Sequence, residues 1–173
     1  VRALSSTDKV DRVSIIPAGM AGGYTAHKPE QDKRYHTKNQ LLESIMIALG
    51  GRAAEEIVLG IVDTGASNDL KHANSVARGM ITKYGMSEKL GNMVFGSEHD
   101  EVFIGRGFAQ SKSYSEEIAA QIDREVKIII DQAYEKVTQV LNDKIEILHK
   151  IASNLIEREK LEAEEFEELY QQA

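Results

Sequence analysis

The chain has 173 residues, a mass of 19.2 kDa and a formal charge of −7, with 42% apolar and 28% charged residues. That suits one globular domain with a real core, and its acidic balance excludes a generic nucleic-acid surface, which needs clustered cations. No apolar run approaches the roughly 20 residues of a membrane helix, and without cysteine there is no disulfide, thiolate zinc site or cysteine nucleophile.

Both prolines, Pro17 and Pro29, and the glycine run from Gly19 to Gly23 lie early, whereas residues 114–173 contain neither type. This asymmetry predicts an irregular, partly stranded beginning and a helical end. Asp11–Ile16 is alternating and β-branched until Pro17 stops it, so it reads as a strand, with a short partner at Tyr24-Thr25. Residues 26–36 read as an exposed loop. Thr37 with Gln40 is a capping-box pattern opening a helix with an apolar stripe at Leu41, Ile45, Leu49, Ala53 and Ile57. A second helix starts near Ser67, carries Leu70, Ala73, Ala77, Met80 and Ile81, and stops at Gly85. Asn92–Phe95 has short-strand character, and a glycine-broken loop follows. Ser113 with Glu116 is expected to cap a long helix, and Asp143 with Glu146 another. These two read as an antiparallel hairpin, followed by a short acidic helix over Glu162–Tyr170. The expected fold class is mainly α, with a small β element near the N-terminus and a C-terminal helical hairpin. One domain spans 1–173: a strand and loop part (1–36), a central helical part (37–112) and the hairpin with its tail (113–173).

Asp69 is the side chain most suggestive of chemistry. Its spacing from Ala73 and Val76 sets it beside the apolar stripe, where a carboxylate is costly without a partner. A metal, an arginine or the start of its own helix could each be that partner. Glu55 and Glu56 follow Gly50-Gly51 within one helix. Two such glycines cost about 1 kcal/mol each relative to alanine, which predicts close approach by another element. The acidic pair then lies beside a site or on a solvated face. The five histidines form no His-Glu-x-x-His motif. Asp69 and His72 could chelate at i, i+3, but His72 falls at the edge of the stripe. Glu146 and His149 make one Glu-x-x-His step, where a di-iron bundle needs two. No phosphate-binding P-loop and no Gly-x-Ser-x-Gly elbow occurs.

Three stretches, taken in order, carry a resemblance. They are Val10–Thr25 (Val-Asp-Arg-Val-Ser-Ile-Ile-Pro, then Gly-Gly-Tyr-Thr), Leu49–Gly60 (Leu-Gly-Gly-Arg-Ala-Ala-Glu-Glu-Ile-Val-Leu-Gly), and Thr64–Asp69 running on to Tyr84-Gly85-Met86-Ser87. Ile104-Gly105-Arg106 and Tyr114–Ile118 agree in order and spacing. From about residue 8 to 160 the chain resembles the peptidase domain of the FtsH family, membrane-anchored ATP-dependent zinc metalloproteases.

The resemblance implies a helical zinc-peptidase fold. In the family, zinc is held by two histidines of a His-Glu-x-x-His helix and by a distant aspartate, whose position matches Asp69. The supporting glutamate, which orients a histidine ligand, matches Glu55. Arg12, Val13, Ser14, Ile15 and Ile16 match an edge strand that an extended substrate joins. The implied partners are unfolded polypeptides and further copies of the enzyme in a hexamer. ATP and magnesium belong to a separate ATPase module. The implied location is the cytoplasmic face of a bacterial inner membrane, or the matrix or stroma side in an organelle. The family's His-Glu-x-x-His helix lies just before the region where this sequence opens, at Val1-Arg2-Ala3-Leu4. The parent enzyme is thus expected to degrade unfolded or membrane proteins processively. These 173 residues alone are expected neither to bind zinc tightly nor to cleave peptides. The alternative is a non-catalytic helical interaction or scaffold module derived from the same family.

Overall fold

A computed structural model describes residues 1–5, 8–17, 23–29, 35–95 and 114–172. In chain order the elements are β1 (Asp8–Ser14), β2 (Tyr24–Pro29), α1 (Lys38–Leu59), α2 (Ser67–Thr82), α3 (Glu116–Asp143), α4 (Ile145–Arg158), β3 (Lys160–Glu162) and α5 (Ala163–Gln171). Helices dominate, and one small antiparallel sheet stands beside them, as the sequence pattern predicts.

Local signals set most helix ends. At the start of α1 the Gln40 N–H donates to the Thr37 hydroxyl at 3.3 Å, and the Thr37 N–H donates to the Gln40 side chain at 2.9 Å. Gly60 closes α1 in the left-handed conformation (φ 65°). The cap of α3 is Ser115, whose hydroxyl accepts from the Ile118 N–H; the expected cap Ser113 lies outside the described residues. Lys144 precedes α4 without a side-chain cap, so the Asp143–Glu146 pattern does not act as one. Residues 92–95 form no strand; the Phe95 N–H instead donates to the Thr82 carbonyl at 2.8 Å. Gly85 (φ 60°) makes the turn leading there, and a Cβ at that position would stand 3.2 Å from the Asn92 Cα.

Gly50 and Gly51 lie inside α1, and no described atom comes within 4 Å of where a Cβ would stand at either. The close approach expected from the sequence is not made by the described residues. Alanine at each position should therefore raise the stability of this chain by about 0.5–1 kcal/mol, measurable as a later urea midpoint. An unchanged or earlier midpoint would show that both glycines are already in use.

Two apolar cores result among the described residues. The larger joins Ile45, Leu49 and Ala53 of α1, Ala73, Ala77, Met80 and Ile81 of α2, and Ile122, Val126, Ala133 and Val137 of α3. The smaller gathers Val10 of β1, Leu155 of α4, Leu161 of β3 and Phe166 of α5. Thus α3 and α4 succeed one another through Lys144, but α3 packs on α1 and α2 while α4 packs on α5 and β3. Residues 1–5 touch both cores, Leu4 the larger and Val1 the smaller.

Arg2 fixes that segment by a two-pronged pair with Glu167 of α5 (2.7 and 2.9 Å), its guanidinium 4.8 Å over the Tyr170 ring. The Arg2 hydrogen bond, helped by Gln171, lowers the Glu167 carboxyl to about 2. The folded value lies below the unfolded one. The stabilisation is therefore complete above the ordinary 4.5 and is lost as pH falls toward about 2. Both partners are solvent-exposed, so screening holds the contribution to about 0.2–1 kcal/mol. Glu167→Gln should lower stability by that amount at pH 7 and by almost nothing at pH 2, read from paired denaturation curves.

The sheet has the order β2-β1-β3, both pairings antiparallel. Asp11 is the extra residue of a bulge, since Val10 faces His27 and Arg12 faces Ala26. A Cβ at Gly23 would fall 2.7 Å from the Ser14 carbonyl oxygen, so only glycine fits where β2 begins. The structure corrects the expected strand in two respects. First, β1 spans Asp8–Ser14, and Ile15 and Ile16 lie beyond it. The Ser14 hydroxyl accepts from the Ile16 N–H at 3.1 Å and turns the chain away, leaving both isoleucines exposed. Second, residues 12–14 are not an edge. Arg12, Val13 and Ser14 pair with β2 on one side and with Glu162, Leu161 and Lys160 on the other, and the Ile15 N–H donates to the Glu159 carbonyl. No further strand can join β1 at residues 12–14.

Candidate metal-ligand site and substrate edge

Asp69 occupies the first turn of α2. The inward position expected for it is corrected by the structure: it is exposed, one residue before half-buried Leu70 and four before buried Ala73. Successive helical residues are about 100° apart, so the carboxylate falls off the packed face. No hydrogen bond or ion pair engages it among the described residues. The N-cap of α2 is Ala66, which supplies no side-chain acceptor, so an acid in the first turn is favoured by the helix dipole.

The acidic pair on α1 divides. Glu56 is exposed and accepts a hydrogen bond from the Tyr134 hydroxyl of α3. Burial first, and then the Glu56 carboxylate, push the Tyr134 phenol above its ordinary value. Glu55 is half-buried and has no such commitment among the described residues, so it is the carboxylate free to serve another group. His72 does not join Asp69 in a chelating pair with other donors. It is exposed, and its Nε2 lies 3.4 Å from the Ser44 hydroxyl on α1.

Between α1 and α2 the chain runs irregularly. Arg52 of α1 donates to the Asp63 carbonyl at 3.1 Å, and the Asp63 carboxylate accepts from the Gly65 N–H at 2.6 Å. Beside Arg52 an open cleft of about 330 Å³ is lined by Leu49, Leu70, Ile130 and Tyr134, with Asp131 and Glu135 at its acidic side. Sequence reasoning did not find Arg52, Asp63 or Tyr134. The Asp-x-Gly turn at residues 63–65 was the one local signal that could have pointed to the first two.

Among the described residues no three histidine, aspartate or glutamate side chains come together as a metal site. A zinc site with an open position requires three protein ligands. Asp69 is an exposed carboxylate without a hydrogen-bond or ion-pair partner among the described residues, and it fits as a single member of such a set. Ile104-Gly105-Arg106, part of the resemblance, lies outside the described residues.

A family model described as peptidase family M41 matches residues 2–169. The chain belongs to this family. Its M41 relatives include an ATP-dependent zinc metalloprotease FtsH of Ruminiclostridium cellulolyticum, 62% identical over the whole of this chain and 28% of the relative. The protein of that name from Caldicellulosiruptor bescii is 52% identical over 96% of this chain and 27% of its own length. The one from Bacillus subtilis is 45% identical over 96% and 26%. The chain thus spans about a quarter of the length of these relatives, as an FtsH-family peptidase domain. In this M41 domain no described helix is long and apolar enough to cross a membrane.

Proposed function

We propose that this chain is the peptidase portion of an ATP-dependent zinc metalloendopeptidase that degrades unfolded or membrane polypeptides processively. The observation that carries the reading is Asp69: a carboxylate unpaired among the described residues, at the start of α2 where no side chain caps the helix, within a chain that matches the peptidase family almost end to end. Asp69 is one zinc ligand, and the other two, with the general base, are the histidines and glutamate of a His-Glu-x-x-His helix that these 173 residues do not contain. Glu55 accepts the remaining N–H of a ligating histidine and so fixes its ring. When bound, zinc supplies Lewis-acid polarisation of the scissile carbonyl and activation of a water. ATP and magnesium serve a separate ATPase module that feeds the substrate, in a homo-hexamer attached to a membrane. The 173 residues by themselves do not hydrolyse peptides.

Substrate lies extended along the sheet. The outer edge of β2 (Tyr24–Pro29) is unpaired among the described residues, whereas residues 12–14 of β1 are paired on both sides. Backbone pairing there reads no side-chain sequence, which suits a protease acting on unfolded chains. The reading is tested by degradation of an unfolded protein by the full-length enzyme. A zinc chelator should abolish cleavage, and added zinc should restore it. Cleavage that survives removal of the metal would overturn the reading.

A further inference from the structure

We infer that Arg52 is a positioning residue: it clamps the connection between α1 and α2 and so sets where Asp69 stands. The inference rests on the proposed metal role of Asp69.

After Leu59 the chain turns at Gly60 and runs without regular structure to Ser67. Packing does not hold this stretch, since Ile61 and Val62 are 59% and 46% exposed. Helix capping does not hold it either, because Ala66 offers no side-chain acceptor to α2. Inside the stretch, the Asp63 carboxylate accepts from the Gly65 N–H, and the Ser67 N–H donates to the Thr64 carbonyl. These bonds make a compact turn that runs directly into α2, but they do not fasten it to anything else. Among the described residues, one hydrogen bond ties the turn to a side chain beyond it: Arg52 Nη1 to the Asp63 carbonyl, 3.1 Å. Asp63 is therefore held from two sides, its carbonyl by α1 and its carboxylate by the residue that leads into α2. Asp69 follows in the first turn of that helix, so a displaced turn displaces its carboxylate.

The guanidinium is itself well placed. Arg52 is half-buried in the cleft formed with Leu49, Leu70 and Tyr134, and Tyr134 is anchored by Glu56 one helical turn along from Arg52. A planar fork on a packed stem is oriented before it bonds, whereas a lysine ammonium is a mobile, strongly hydrated point.

The test uses the full-length enzyme with R52M, R52K and D69A. Zinc retention against a competing chelator, the melting temperature of the metal-free protein, and hydrogen exchange of residues 61–69 are measured. R52M should hold zinc about tenfold or more weakly than wild type, the size seen when an outer partner of a metal ligand is removed. Exchange at 61–69 should quicken while the metal-free melting temperature stays near wild type, and R52K should fall between. If D69A loses zinc while R52M keeps wild-type retention, the inference fails and the metal reading stands. If D69A keeps zinc, the metal reading fails and takes the inference with it. A loss of zinc in R52M with equally faster exchange throughout α1, α2 and α3 makes Arg52 merely structural and also overturns it. Should R52M not fold, R52K decides: wild-type zinc retention in that variant refutes the clamp.

Discussion

Asp69→Ala in the full-length enzyme is expected to abolish peptide cleavage and strip the zinc while leaving ATP hydrolysis intact. Losing a ligand should cost more than the roughly 10–100-fold that follows removal of an outer partner. The structure makes this substitution unusually clean. Asp69 is exposed and makes no hydrogen bond or ion pair among the described residues, so its removal should shift stability by no more than about 0.5–1 kcal/mol, the scale of a first-turn acid on a helix dipole. Loss of activity could not then be blamed on unfolding. Asp69→Asn keeps the shape and one oxygen but not the charge, and should hold zinc more weakly than wild type. Zinc content and cleavage at wild-type levels in both variants would remove the chemical footing of the proposed function.

The second large effect is expected from proline on β2. In a pleated strand the amides of neighbouring residues face opposite sides, so of Thr25 and Ala26 one N–H faces β1 and the other faces the open edge. Proline at the first breaks the ladder and should destabilise the sheet. Proline at the second is tolerated, as prolines are on edge strands, but it removes a donor that an incoming chain needs. One member of the pair should therefore fold normally, hydrolyse ATP and cleave unfolded protein at least several-fold more slowly. If the folded variant cleaves at full rate, substrate does not pair with β2.

What could be read from the sequence was local. The Thr37–Gln40 capping box and the spacing of Ile45, Leu49, Ala53, Ala73 and Ala77 act within a turn or two, and each appears where expected. What could not be read was the pairing of β1 with β3. Arg12 meets Glu162 across 150 residues of chain, and the three residues Lys160-Leu161-Glu162 are too short to announce a strand. Without β3, nothing in the residues opposed the edge position that the resemblance implies for residues 12–14. The orientation of Asp69 failed for a related reason. The stripe Leu70, Ala73, Ala77 and Met80 is narrow, and small alanines draw the helix close to its neighbours, so a residue one step off the stripe is already in solvent. Glu55 and Glu56 could not be told apart until Tyr134, distant in sequence, was seen to occupy one of them.

The division of the interior into two apolar clusters has a thermodynamic consequence. With α3 buried in one and α4 in the other, the described residues carry a seam at Lys144, bridged by the opening five residues with the Arg2–Glu167 pair and by the Lys144 ammonium over the Tyr170 ring. A break along it would expose the sheet and last two helices while the three-helix body stayed folded, a subglobal opening cheaper than complete unfolding. Amides of Val13 and Leu161 should then exchange by a lower-energy route than those of Leu49 or Ile122, and heating should yield two overlapping transitions in place of a single cooperative melt.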